Sequence, residues 1–170
     1  RFVAQPQAED RLAALTSGNI QAATHLERLE IPQRALEGFT WQEQAGTLSV
    51  MAFMNGFEGI FRDPKARRAA NLAIDRMRLI AEVIGGLAIA ADTVVSPWHF
   101  GHPEAALAPL NYDPQGARRL LAECDGPRDV LLRTPTYMPE RAPEIARFMA
   151  EAWDAVGFNT TVDLAADRPK

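Results

Sequence analysis

The sequence predicts an α/β fold: a lobe built on a βαβ crossover, with helices flanking a mixed sheet. Three observations lead there. Residues 129–164 read as strand, helix and strand in turn, an order that a crossover joins as a parallel pair. The pair Asp-Pro occurs twice just ahead of a helical run, at Asp63-Pro64 and Asp113-Pro114. Residues 47–54 carry apolar side chains on both faces of an extended segment, the pattern of a strand covered on both sides.

Each element has its own local grounds. Residues 1–6 read as extended. Residues 9–16 carry Leu12 and Leu15 on one helical face, and Gly18 is placed to end that helix. Residues 19–23 read as a short strand. Residues 25–38 are ambiguous, because Pro32 either breaks a helix or starts one. Residues 39–44 and 47–54 are strand-like. In the second, Leu48, Val50, Ala52 and Met54 face one way and Ser49, Met51 and Phe53 the other.

Asp63 is an N-cap, followed by proline at the first helical position and a run rich in alanine and arginine. Asp75 caps a further helix, with Met77, Ile80, Ala81 and Ile84 as its apolar stripe and Gly85-Gly86 as its end. Residues 87–109 hold proline, glycine and aromatics with little periodicity. They read as a long ordered loop with room for a short strand. Asp113-Pro114 opens the next helix, whose apolar face is Ala117, Leu120, Leu121 and Cys124. A turn at Asp125, Gly126 and Pro127 leads into a strand over 129–134. The strongest helical pattern covers 143–156, with Ile145, Phe148, Met149, Ala152, Trp153 and Val156 in one stripe. Gly157 stops it, and 159–164 is the last strand. Four or five strands are expected in all.

Bulk composition narrows the function classes. The chain has 170 residues, 47% hydrophobic and 24% charged, ordinary for a globular domain or one lobe of a larger protein. A net charge of −4 argues against nucleic acid, which calls for a basic face, and gives no polybasic patch for anionic lipid. No apolar run reaches the length that spans a bilayer, so no membrane insertion is expected. The first residues lack the charged and apolar regions of a signal peptide, which is read as absent or already removed. The single cysteine, Cys124, excludes an intrachain disulfide.

Few residues invite chemistry. No dinucleotide fingerprint, phosphate loop or nucleophile elbow is present. Cys124 falls on an apolar helix face and reads as a small core residue. His99 and His102, with Glu104 nearby, form an HxxH spacing. The surrounding Pro97, Gly101 and Pro103 make it a loop, and a metal needs three or four fixed ligands. No metal and no cofactor are therefore expected. Asp63 and Asp113 are explained as caps. Arg67, Arg68, Arg76 and Arg78 read as a solvated face shared with Asp75 and Glu82. Two loops remain. Trp98, His99 and Phe100 lie outside any periodic element, as a ligand wall or a packing plug would. Thr136 and Tyr137 follow the C-terminal end of an expected parallel strand, where open α/β sheets bind ligands.

In order along the chain, the segments resemble family 5 extracellular solute-binding proteins, the oligopeptide, dipeptide and nickel-type receptors. The step from Leu12 through Gly18 to Ala23 resembles the family's first helix-to-strand motif. Residues 48–55 resemble its strand ending in Phe-Asn, here Phe53-Met54-Asn55. The most specific match runs from Phe61 to Arg76, against the family's F-x-D-x-x-V-R-x-A-[IL]-x-x-A-I-D-R, with Ala66 in place of the usual valine. Residues 85–88, 112–123 and 145–163 follow in the family's order, whereas residues 25–46 match poorly.

The resemblance implies a periplasmic-binding-protein-like fold of the class II type and a receptor that closes on its solute by hinge motion. The solute would be a peptide or another small molecule. The further partners would be the permease subunits of an ABC importer. The location would be the periplasm, or the outer face of a Gram-positive cell through a lipid anchor. No enzyme is implied. Residues 1–170 would form one partial domain, most of the C-terminal lobe, with 1–24 and 47–56 near the inter-lobe hinge. The family's acidic and tryptophan-bearing segment that grips a peptide's amino terminus would lie beyond Lys170. The residues carried over as ligand contacts are Asn55, Trp98, His99, Phe100, Thr136 and Tyr137. The alternatives are an effector-sensing module of a regulator with the same fold, and a small α/β enzyme.

Overall fold

The computed structural model describes residues 2–26, 31, 37–44, 46–102, 110–136 and 141–164. It divides into two units, Arg1–Gln44 and Ala45–Lys170.

The first unit holds helix α1, Ala8–Thr16. Gly18 adopts φ +78°, and the amides of Ser17 and Gly18 turn back onto the carbonyls of Ala13 and Leu15. This left-handed closure ends the helix where the glycine predicts. Arg11 holds the unit together. One guanidinium nitrogen donates to the carbonyls of Gln5 (2.6 Å) and Pro6 (2.8 Å), and the other to that of His25 (2.7 Å). Residues 19–23 and 39–44 form no strand. Among the described residues neither segment has a ladder partner, and an extended apolar run becomes a strand only when one is supplied.

The second unit carries the core. A 3-10 turn, Ile60–Arg62, leads into α2, Pro64–Leu72. Asp63 caps α2 by accepting from the Lys65 amide at 2.8 Å. Helix α3, Arg76–Glu82, is capped by Asp75, and α4, Pro114–Ala122, by Asp113. After α4 come strand β1, Asp129–Thr134, helix α5, Ala142–Asp154, and strand β2, Asn159–Leu164. The two strands pair in parallel, Asp129 opposite Asn159 through Thr134 opposite Leu164, so α5 is the crossover. Among the described residues this is a two-stranded sheet rather than a mixed sheet of four or five strands.

Alanine decides how the helices meet. Ala66, Ala69, Ala70 and Ala73 occupy i, i+3, i+4 and i+7 of the α2 run and are fully or almost fully buried. Their small side chains let α4 approach through Ala117 and Leu121. Trp153 of α5 fills the centre against Phe61, edge-on at 5.7 Å, and against Phe158 at 6.1 Å. Val130, Cys124 and Val156 complete the cluster. On β1, Val130, Leu132 and Thr134 turn inward, while Asp129, Leu131 and Arg133 face solvent.

Three further expectations are corrected. Residues 47–54 are not a covered strand: Leu48, Val50, Met51 and Phe53 are exposed, and only Met54 packs on the core. The α3 stripe is not buried either, since Met77 and Ala81 face solvent and Ile80 and Ile84 are half-covered. The arginines are not simply a solvated face. Arg67 donates to the carbonyls of Phe61 and Arg62 in the preceding 3-10 turn, and Arg76 to those of Ala91 and Leu110, so Arg76 ties two loop segments to α3. Residues 87–102 contain no strand. Pro32, Glu104 and Tyr137 lie outside the described residues.

Candidate functional site

Asn55 follows the extended segment and caps a turn, its Oδ1 accepting from the Phe57 amide at 3.0 Å. It lines an open depression of about 210 Å³. Residues 52–55 and the β1 residues Asp129–Leu132 form the walls, and the buried Ile60, Phe61 and Trp153 the floor. The sequence reading missed the share of β1 in this depression. The apolar run Val130, Leu131 and Leu132 marks a strand, but not which segments lie beside it.

The aromatic loop is built differently. Ser96 is buried, and its hydroxyl lies 3.0 Å from His99 Nδ1. The His99 amide donates to the Ser96 carbonyl and the His102 amide to the His99 carbonyl, giving two consecutive turns. His102 Nδ1 lies 3.0 Å from the Val95 carbonyl. A carbonyl only accepts, so that ring nitrogen carries the proton. The turns leave Trp98 half-exposed and Phe100 fully exposed. Both histidines thus have a structural task, holding the loop that displays the two aromatics. Among the described residues, no three His, Cys, Asp or Glu side chains converge as a metal site would require.

Thr136 is exposed just past β1, at the carboxyl end of the parallel pair. Neither it nor Trp98, His99 or Phe100 lines the depression beside Asn55. The five described candidates therefore do not form a single pocket: Asn55 borders the depression beside β1, Thr136 follows that strand's end, and Trp98, His99 and Phe100 sit on a separate loop, while Tyr137 is outside the described residues.

A second shallow depression, about 180 Å³, lies among α4, α5 and the start of α3. Arg78 stacks over Phe148 there at 5.5 Å, and Arg118 donates twice to the Ala155 carbonyl at the end of α5. Arg78 also pairs with Glu82 at 2.9 Å, and this hydrogen bond raises its pKa. The cations in this depression are thus engaged by the protein itself. Cys124 is buried and donates to the Leu120 carbonyl at 3.3 Å. Burial first, and then the nearby Asp63 carboxylate, push its thiol pKa up, which suits a core residue and not a nucleophile. No helix among the described residues is long and apolar enough to cross a membrane.

Comparison with known proteins agrees with this architecture. Residues 1–168 match the family model for bacterial extracellular solute-binding proteins, family 5 Middle. A probable di/tripeptide-binding protein 5 of Pseudomonas aeruginosa is 32% identical over 129 residues, covering 71% of this chain and 23% of that protein. The oligopeptide-binding protein AppA of Bacillus subtilis, solved with a nonapeptide, superposes with a TM-score of 0.69 at 19% identity, over 95% of this chain and 35% of its own. A dipeptide-binding protein from Pseudoalteromonas sp. SM9913, solved with Met-Leu, gives 0.62 at 18% identity, over 95% and 33%. NikA of Brucella suis, solved with Fe(III)-EDTA, gives 0.52 at 27% identity, over 65% and 25%. The chain thus spans about a quarter to a third of the length of these relatives. The fold is that of periplasmic-binding-protein-like proteins, and the chain belongs to the bacterial extracellular solute-binding proteins, family 5.

Proposed function

We propose that this chain is part of a receptor that binds a peptide, or a small solute of similar size, and delivers it to the permease of an ABC importer. The observation that carries the proposal is the family match over residues 1–168, joined by a di/tripeptide-binding relative at 32% identity. In this reading no covalent bond is made or broken. Affinity comes from enclosing the solute between lobes that close by hinge motion, with a few convergent polar groups fixing its orientation. The receptor works in the periplasm, or outside a Gram-positive membrane on a lipid anchor. Residues 1–170 supply most of one lobe, with 1–24 and 47–56 near the hinge. Asn55, Trp98, His99, Phe100, Thr136 and Tyr137 supply one wall of the cleft. Exposed aromatics on a hydrogen-bonded loop favour this role for Trp98 and Phe100, because such rings lose little further freedom on binding.

Calorimetry on the full polypeptide with di-, tri- and octapeptides tests the proposal. Binding at micromolar Kd or tighter is expected, about −8 kcal/mol or more favourable. Residues 1–170 alone are expected to show none, because one lobe encloses nothing. Trp98→Ala in the full polypeptide should weaken binding about tenfold or more. Absence of heat with every peptide class would refute a peptide solute, and micromolar binding by residues 1–170 alone would refute the two-lobe cleft.

A further inference from the structure

His99 and His102 stand on two consecutive turns, the His102 amide donating to the His99 carbonyl at 3.2 Å. Each ring is anchored through Nδ1. That of His102 donates to the Val95 carbonyl and that of His99 meets the Ser96 hydroxyl, both at 3.0 Å. The two anchors are neighbours in the chain, and Ser96 is buried, so both rings hang from one short tied stretch. Because Nδ1 of His102 carries the proton, Nε2 of the neutral ring offers a lone pair and no hydrogen. The Ser96 hydroxyl can accept as well as donate, so His99 can take the same tautomer. Neither Nε2 has a partner among the described residues. His99 is exposed and His102 half-buried, so solvent reaches both rings.

We propose that His99 and His102 bind a divalent transition metal ion, each through Nε2. An imidazole that ligates a metal through one nitrogen almost always donates from the other to a carbonyl or similar acceptor, which fixes its tautomer and orientation. Val95 and Ser96 supply that arrangement for both rings. Imidazole suits zinc, copper and nickel ions, whereas magnesium prefers oxygen. The surrounding charge does not oppose a cation. Residues 87–102 contain no lysine or arginine, and Arg76, which reaches this segment, is engaged by Asp92 and by the Ala91 carbonyl. A carboxylate is the wrong guest, because a neutral ring in this tautomer gives it no hydrogen at Nε2. No third His, Cys, Asp or Glu joins the pair among the described residues, so the metal keeps positions open for water or for donor atoms of a bound molecule. The site is thus an exchangeable one and not a closed structural one.

Metal binding requires no solute, so its outcome is independent of the peptide-receptor reading. Diethyl pyrocarbonate modifies free imidazole nitrogens, and peptide mass spectrometry of the full polypeptide reads each histidine separately. Zn2+ at ten times its Kd should slow the modification of both His99 and His102 by about tenfold, while His25 of the first unit keeps its rate. Mg2+ at the same concentration should protect neither. In His99→Gln, the Zn2+ concentration that protects His102 should rise about tenfold or more. Ser96→Ala keeps both ligands but frees the His99 ring, and should raise the protecting concentration for both rings about tenfold. Equal rates with and without Zn2+ in the parent, protection of only one of the two rings, or equal protection by Mg2+ would overturn the proposal. So would an unchanged protecting concentration for His102 in His99→Gln.

Discussion

Replacing Trp153 with phenylalanine separates one hydrogen bond from the packing around it. Trp153 is 1% exposed, and its indole nitrogen donates to the Ala70 carbonyl at 2.9 Å. Ala70 lies in the last turn of α2, where carbonyls have no partner within the helix. The Ile74 amide, which a longer helix would aim at it, donates to the Asn71 carbonyl instead. The indole therefore caps α2 from α5. Phenylalanine keeps the ring contacts with Phe61 and Phe158 but offers no donor. An unpaired buried carbonyl costs about 1–3 kcal/mol. The smaller ring gives up about 40 Å² of buried surface, about 1 kcal/mol. Trp153→Phe is thus expected to destabilise by about 2–4 kcal/mol, a large fraction of the roughly 5–15 kcal/mol that holds a domain folded. Trp153→Ala adds a cavity and should cost at least about 4 kcal/mol. Urea unfolding followed by far-ultraviolet circular dichroism measures both, with the m-value unchanged. A Trp153→Phe variant within about 0.5 kcal/mol of the parent would show that the indole nitrogen does not hold α2 to α5.

Three further outcomes follow from the same structure. Asp63→Ala and Asp113→Ala each remove a helix cap and should each cost about 1 kcal/mol, while the asparagine variants stay within a few tenths, read as urea midpoints. Cys124 should resist thiol reagents at neutral pH until the chain unfolds, and its raised pKa sets a direction for stability. The buried thiol favours its protonated form, so the contribution is complete below the ordinary value of 9.0 and is lost as pH rises through the higher folded value; an unfolding midpoint that rises with pH across this range would contradict it. The Arg133–Asp163 pair joins β1 to β2 at 2.8 Å on the exposed face, so a double-mutant cycle should give a coupling of about 0.2–1 kcal/mol that shrinks in 1 M salt.

The helix starts at Asp63, Asp75 and Asp113 were legible because a cap is a contact across two or three residues. Strands β1 and β2 were legible as well, since 129–134 and 159–164 flank one strongly amphipathic helix and a crossover leaves few other arrangements. Residues 19–23, 39–44 and 47–54 have strand-like patterns and form no strand here. A ladder partner is a non-local supply, and pattern alone cannot provide it. The arginines show the same limit. Their charge suggested solvent, but Arg67 turns back to the Phe61 carbonyl and Arg76 reaches carbonyls 15 and 34 residues away, which the sequence places no nearer than any other. Of the candidate site, the sequence singled out the residue types, aromatics and a histidine between prolines and a threonine after a strand. The turns that tie His99 to Ser96 and His102 to Val95, and the separation of that loop from Asn55, came from tertiary structure.

By itself, then, the sequence determined the α/β class, the capped helices, the parallel pair around α5 and, through the order of its motifs, the family. Each rests on local periodicity, on a short-range hydrogen bond or on the succession of segments. Only the tertiary structure decided that α2 and α4 meet through alanines and that Trp153 satisfies a carbonyl 83 residues away. It also decided that, among the described residues, β1 pairs with β2 alone and that residues 47–54 form no strand. These outcomes depend on which surfaces meet and which backbone groups are left without a partner, and neither is written at any single position.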